Sequence, residues 1–302
     1  MMDAVKAYLS LRRATGFEMA NAECLLDSFA HFAAERKETR IRTQTAIDWA
    51  VQGPSLAQRD ERLKTVCRFA RHLRVEDDGH ELPPTNHFGY RKWRRVPYIY
   101  SASEINRLIE ATDQLGPAGM LRSRTYAALL SLLAATGLRI SEALALRFAD
   151  ITADGLLIRD TKFRKTRLVP LHDTAVAGLE RYLMRRRRAG LGNDHVFVGS
   201  RGRPLQYQAV HSTFKTLLRT AGLRPSPNGR RPRLHDLRHT FAVRALQVSP
   251  AGRQRIGQHM VALATYLGHV NIYATYWYLE ATADLLRDIA DTGETFMCRG
   301  EQ

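Results

Sequence analysis

The stretch Ala127-Ala128-Leu129-Leu130-Ser131-Leu132-Leu133-Ala134-Ala135-Thr136-Gly137-Leu138-Arg139-Ile140-Ser141-Glu142 sets the terms for the rest of the chain. Its first nine residues are apolar on nearly every side, so they predict a helix buried all round rather than one lying on a surface. Gly137 can stop that helix, and a second short helix is predicted over 141–146. Arg139 falls between the two. An arginine is almost never buried without a partner, so Arg139 needs an anion. Glu142, three residues on, is one answer. A phosphate from outside the chain, gripped by a bidentate guanidinium fork, is the other.

Three more places supply groups of the same kind. Asp160-Thr161-Lys162-Phe163-Arg164-Lys165-Thr166 is a basic turn joining two predicted strands, 156–159 and 168–171. Leu234-His235-Asp236-Leu237-Arg238-His239 opens a predicted helix on which His235 and Arg238, three apart, share a face. Tyr266-Leu267-Gly268-His269 runs on to Tyr273, Tyr276 and Tyr278. Together these offer two arginines, a lysine, two histidines and a tyrosine, a set that can hold a phosphate and attack it with a phenol oxygen. His235 and His239 also have the i, i+4 spacing of a metal pair. No Glu follows His235 in a metalloprotease pattern and no third ligand is placed nearby, so neither a metal nor a cofactor is expected.

Bulk properties point the same way. A length of 302 residues allows one large domain or two ordinary ones, and 44% hydrophobic residues suffice for genuine cores. The net charge of +16 makes a field that attracts polyanions. Residues 1–95 carry 17 Lys and Arg against 13 Asp and Glu, while residues 96–302 carry 29 against 17. The excess therefore travels with the phosphate-holding set. Cys24, Cys67 and Cys298 are odd in number and far apart, which fits no disulfide or metal framework and suits a reducing compartment. The N-terminus shows no signal-peptide core, and no apolar run approaches the ~18 residues that span a bilayer. A soluble, cytoplasmic protein with no membrane partner is expected.

Residues 1–76 read as a helical bundle. Val5, Tyr8 and Leu9 start one apolar stripe, and Leu25, Leu26, Phe29 and Phe32 continue at helical spacing. Thr43 can cap a third helix through Trp49. Pro54-Ser55 opens a fourth, with Leu56, Leu63, Val66, Phe69 and Leu73 on one side and Arg59, Arg62, Lys64, Arg68, Arg71 and Arg74 decorating it. Residues 77–98, with Asp77-Asp78-Gly79, Pro83-Pro84 and the basic run from Arg91 to Arg95, read as a linker. A capping box, Ser101-x-x-Glu104, starts a second domain over 99–302. The fold class expected is mainly α with a small antiparallel β-sheet: an α+β catalytic domain preceded by a helical-bundle DNA-binding domain.

In this order the motifs resemble the tyrosine recombinases, the phage-integrase and Xer-like family. The resemblance rests on Thr136-Gly-Leu-Arg139-Ile-Ser-Glu142, a hairpin lysine before Arg167-Leu168-Val169-Pro170-Leu171, His235-x-x-Arg238-His239, Leu267-Gly268-His269 and a tyrosine nine residues on. It covers roughly residues 100–290. The N-terminal part matches the family's SAM-like core-binding domain in size and character only.

The resemblance implies that Arg139 and Arg238 clamp the scissile phosphate and that His269 hydrogen-bonds it. It implies that Lys162 protonates the leaving 5′ oxygen, with Lys165 as a rival, and that His235 assists proton transfer. Tyr278 fits the family's spacing for the nucleophile; Tyr273 and Tyr276 do not. The implied activity is site-specific recombination of double-stranded DNA through a 3′-phosphotyrosyl intermediate, serving integration, excision or resolution. It needs no ATP and no metal. A homotetramer on two duplexes, with or without partner recombinases, is implied, as in enzymes of mobile elements. Two other readings use the same residues: a catalytically silent DNA-binding relative, and a strand-relaxing enzyme of the type IB topoisomerase kind. Against compact relatives, segment 248–262 reads as an insertion. Leu285, Leu286 and Ile289 form an apolar stripe on a C-terminal helical tail that docks either on its own domain or on a neighbour.

Overall fold

The computed structural model describes residues 1–91, 96–116, 120–159, 166–225, 229–247, 256–268 and 275. The chain divides into two compact units, 1–95 and 96–302.

The first unit packs α1 (Met2–Ala14), α2 (Ala20–Glu35), α3 (Thr43–Val51) and α4 (Leu56–Leu73) around one core. The apolar stripes meet as their spacing requires: Val5, Leu9, Leu26, Phe29, Trp49, Leu63, Val66 and Phe69 are all buried. Phe29 stands edge-on to Trp49 at 5.4 Å. Ser55 caps α4, its Oγ accepting from the Gln58 amide.

The stretch expected to begin a linker at residue 77 is instead built into this unit. The Ile41 amide donates to Nδ1 of buried His80 at 3.0 Å, and the Thr43 amide donates to Glu81 at 2.7 Å. Cys67 Sγ donates to the Pro83 carbonyl. Prolines and glycine end α4, but the chain beyond them supplies acceptors that the start of α3 lacks. Glu81, rather than Thr43, satisfies the first amide of α3.

The second unit opens on the predicted capping box. Ser101 Oγ accepts from the Glu104 amide, and Glu104 Oε2 accepts from the Ser101 amide, fixing the start of α5 (Ala102–Glu110). α6 (Leu121–Thr136) is the buried helix foreseen from its composition, with Leu129, Leu130, Leu132 and Leu133 all inside. It packs against α5, α7 (Ile140–Ala145), α8 (Asp173–Arg188) and α10 (Asp236–Gln247). β1 (Ile151–Thr152), β2 (Gly155–Ile158) and β3 (Arg167–Val169) make an antiparallel sheet in that order, with Ile158 opposite Arg167. α9 (Tyr207–Thr220) and α11 (Ile256–Leu267) complete the described elements.

Val196–Val198 is buried, with isolated bridges nearby, Arg147 to His195 and Val198 to Pro204. Of the segment 248–262 that reads as an insertion, 256–262 is the start of α11. Met260, Leu263 and Leu267 recur at helical spacing and bury against Val243 and Leu246 of α10. Residues 248–255 lie outside the described residues. Among the described residues no helix is long and apolar enough to cross a membrane.

Candidate active site

The site is built where α6 and α11 end and α7 and α10 begin. Gly137 closes α6 in the left-handed conformation (φ 63°), and a Cβ there would come within 2.5 Å of the Phe241 ring. Its carbonyl faces Arg238 on α10. Arg238 is buried at 3% exposure, donating Nη1 to the Gly137 carbonyl and Nη2 to the Leu267 carbonyl, both at 2.7 Å. A helix C-terminus carries partial negative charge, so this one guanidinium ties the ends of α6 and α11 together.

Arg139 lies two residues beyond Gly137, extended, at the N-cap of α7. Its Nη1 donates to Glu142 Oε1 at 2.7 Å, and its Nη2 donates to the Gly268 carbonyl at 3.0 Å. About a third of the side chain stays exposed (32%). Glu142 does answer the need for an anion, but it is shared. Arg167, at the head of β3, grips both of its oxygens, Nη1 to Oε1 at 3.0 Å and Nη2 to Oε2 at 2.8 Å. Burial alone would push the Glu142 carboxyl up. The hydrogen bonds and charge of Arg167, with those of Arg139, outweigh it and bring the pKa down to about 2. Glu142 is therefore ionised throughout the neutral range and holds two guanidinium groups in place.

Arg167 also donates Nε to the Tyr266 carbonyl at 2.9 Å. Three arginines thus address three successive carbonyls at the end of α11: Arg167 to Tyr266, Arg238 to Leu267 and Arg139 to Gly268. Gly268 is left-handed (φ 66°), and a Cβ there would meet Arg167 Nη1 at 2.8 Å. Only glycine lets the collar close at that point.

His235 sits in the turn before α10 and is exposed to solvent. The protein crowding round it, and then the charges of Arg238, Arg233 and Arg139, lower its pKa to about 4. It is neutral at physiological pH and able to accept a proton. Its ring stands edge-on to His239 at 4.7 Å. Fully buried Asp236 accepts from the amide and the guanidinium of Arg233, and Thr240 Oγ1 accepts from the Tyr100 amide at 2.9 Å. These bonds fix the start of α10, and with it His235 and Arg238.

Of the residues expected from sequence, the structure brings together Arg139, His235 and Arg238. Lys162 and its rival Lys165, His269, and Tyr278 with Tyr273 and Tyr276 lie outside the described residues. Arg167 was missed as a site residue. The signal was present: alternation along Arg167-Leu168-Val169 puts Arg167 on the face of Val169, which is buried, while Leu168 is exposed. An arginine on the inward face of a strand needs a carboxylate.

With this geometry in hand, the comparisons with known proteins are unambiguous. The chain belongs to the phage integrase family, whose profile matches residues 99–284. It is a tyrosine recombinase by that membership, and two relatives show how far the likeness extends. Over 296 residues it is 38% identical to the integrase/recombinase-class protein y4rB of Sinorhizobium fredii, covering 94% of each chain. Over 243 residues it is 31% identical to tyrosine recombinase XerD of Oceanobacillus iheyensis, covering 79% of this chain and 76% of that one. The fold is that of the XerH site-specific recombinase, solved on a palindromic difH substrate as a post-cleavage complex. The TM-score is 0.63 at 20% identity, over 88% of this chain and 76% of XerH.

Proposed function

We propose that this recombinase cleaves DNA by attack of the Tyr278 phenol oxygen on a phosphate held by Arg139 and Arg238. The observation that carries this is the convergence of those two guanidinium groups on adjoining carbonyls of α11, beside a neutral His235. Carbonyl oxygens orient a guanidinium without cancelling its charge, and the one carboxylate on Arg139, Glu142, is shared with Arg167, so the cluster keeps a net positive charge and can act as an anion receptor. A free tyrosine has a pKa of about 10, so its oxygen carries a proton at neutral pH. His235 takes that proton as the oxygen–phosphorus bond forms. Charge builds on the non-bridging oxygens, where the arginines stabilise it. The bond to the 5′ oxygen breaks, and Lys162, or Lys165 beside it, supplies the proton to that leaving group. The strand is left joined through a 3′-phosphotyrosine. A 5′-hydroxyl reverses the step and reseals the DNA, so neither ATP nor a metal enters the balance.

The partner is double-stranded DNA. The basic excess in residues 96–302 supports it, as does the basic face of α4, which suits a DNA backbone. A homotetramer on two duplexes is the assembly this chemistry needs for strand exchange. The test is covalent trapping on nicked duplex DNA from the flanks of the gene, followed by denaturation and a gel. Wild type forms an adduct and Tyr278→Phe does not, while Tyr273→Phe and Tyr276→Phe still do. Loss with Tyr276→Phe instead would sink the assignment of the nucleophile. Specific binding without any adduct would favour a silent DNA-binding relative, and relaxation of supercoils without strand exchange a topoisomerase.

A further inference from the structure

We propose that Arg167 is a positioning residue of this active site, setting Arg139 and the end of α11 in register through one planar guanidinium. This rests on the recombinase reading above. Arg167 touches neither phosphate nor nucleophile in that scheme; it acts through what it holds. Its side chain is 11% exposed and uses all three nitrogens: two on the oxygens of Glu142 and one on the Tyr266 carbonyl. The other side of Glu142 holds Arg139, and the carbonyl two residues past Tyr266 also accepts from Arg139. Arg167, Glu142, Arg139 and the turn Tyr266–Gly268 therefore close a ring of hydrogen bonds.

The ring joins three parts of the chain that the chemistry must align. β3 starts at Arg167, directly after the basic stretch of sequence that carries Lys162. Glu142 caps α7 through the Arg139 amide and fixes the Arg139 fork. His269 follows Gly268 in sequence, and Tyr278 comes nine residues later. Without Arg167, Glu142 keeps Arg139 as its remaining cationic partner in the ring and draws the fork toward itself, away from a phosphate. At the same time the end of α11 loses one of its three arginine donors. Lysine cannot substitute, because a single ammonium cannot span two carboxylate oxygens and a carbonyl in one plane. Gly268 belongs to the same device, since any side chain there would occupy the space of the Arg167 guanidinium.

The experiment compares wild type, Arg167→Lys, Glu142→Gln and the double variant by three readouts. These are the single-turnover rate of covalent attachment to a nicked duplex, equilibrium binding of the same duplex, and ¹³C titration of the Glu142 carboxyl without DNA. Arg167→Lys should bind the duplex within ~2-fold of wild type and attach ~10–100-fold more slowly, the scale of a small misplacement of catalytic groups. Glu142→Gln, with Arg167 intact, should slow attachment by a similar factor. The double variant should be no slower than the slower single one, because both act through one linkage. In Arg167→Lys the Glu142 carboxyl should titrate closer to the ordinary carboxylate range. Attachment by Arg167→Lys at the wild-type rate would overturn the proposal, as would losses that multiply in the double variant. If wild type itself forms no adduct, the recombinase reading fails. The titration then decides the linkage alone: an upward shift supports it, and an unmoved carboxyl refutes it.

Discussion

Arginine is used in two ways in this molecule. In the N-terminal unit it meets carboxylates at the surface: Arg13 with Glu23, Arg40 with Asp77, Arg42 with Glu81 and Arg68 with Glu61, at 2.6–3.0 Å with both partners well exposed. Such pairs contribute roughly 0–1 kcal/mol each. Around the pocket of the second unit, arginine is turned to the carbonyl ends of helices. Arg238 spans α6 and α11, and Arg139 and Arg167 reach the end of α11. A carboxylate paired one to one neutralises a guanidinium, whereas a carbonyl aims it, and in the site a single carboxylate, Glu142, is shared by Arg139 and Arg167. The surface pairs make a charged coat with little consequence for the fold. The site arginines tie element ends together, and Arg139 and Arg238 are the two proposed to receive an anion.

The sharpest way to break this contrast is at Arg238. Arg238→Ala removes one of the two proposed phosphate donors, and covalent attachment should fall at least ~10²–10³-fold. It also leaves the Gly137 and Leu267 carbonyls without this donor, at about 1–3 kcal/mol for each buried group left unsatisfied. Urea unfolding should report that loss. Arg238→Lys keeps the charge but not the two-ended reach, so it should stay well below wild type in attachment. A lysine variant with wild-type activity would mean that charge alone matters, and the distinction between aimed and merely present arginines would collapse.

Acid sharpens the contrast through Glu142. Its folded pKa, about 2, lies below its ordinary value of 4.5. The group's contribution is therefore present above pH 4.5 and lost as pH falls toward 2. For this buried carboxylate the difference corresponds to roughly 3 kcal/mol. Stability measured by urea unfolding should fall over that window in wild type, and Glu142→Gln should flatten that part of the slope. His235 adds an effect of the same sign between pH 6.5 and 4. Its folded pKa is lowered, so protonation as pH falls favours the unfolded chain. A Glu142→Gln variant with an unchanged acid limb would show that the collar does not depend on this carboxylate.

What could be read from sequence was whatever lies within a few residues of a strong local signal. The run before Gly137 announced a buried helix, and Arg139 directly after it announced an anion. Ser101 with Glu104 announced a helix start, and two apolar runs around a basic turn announced the hairpin. Arg167 was harder because its neighbour Leu168 is as apolar as Val169, so either face of so short a strand could be the inward one. Only the pairing of β3 with β2, and Glu142 25 residues upstream, reveals which face is inside. The start of α11 was hidden by a polar, glycine-bearing stretch whose buried residues are three and four apart. Glu81 as the cap of α3 depends on a contact 38 residues away, which no local pattern contains. β1, two residues long, is too short to show an alternation. Contacts that close over distance are the part a linear reading does not reach, and the arginine collar is made of them.

The smallest effect on the fold comes from the surface arginines, and it is the one that gives them a purpose. Arg68 and Arg71 lie on α4 beside a recess of about 410 Å³ shared with Tyr8, Arg12, Thr15 and His72. Arg68 pairs with Glu61 while more than half exposed. Replacing Arg68 and Arg71 by alanine should change stability by no more than ~0.5 kcal/mol for each exposed site. Each arginine that contacts a DNA phosphate contributes about 0.9 to the slope of log affinity against log salt. If both make such contacts, the double variant should show a slope shallower by about 2, with the loss equal for target and unrelated DNA. An unchanged slope would remove the recess from the DNA path. A loss confined to the target sequence would mean that these arginines read bases, so that the N-terminal unit, like the pocket, aims its cations rather than merely displaying them.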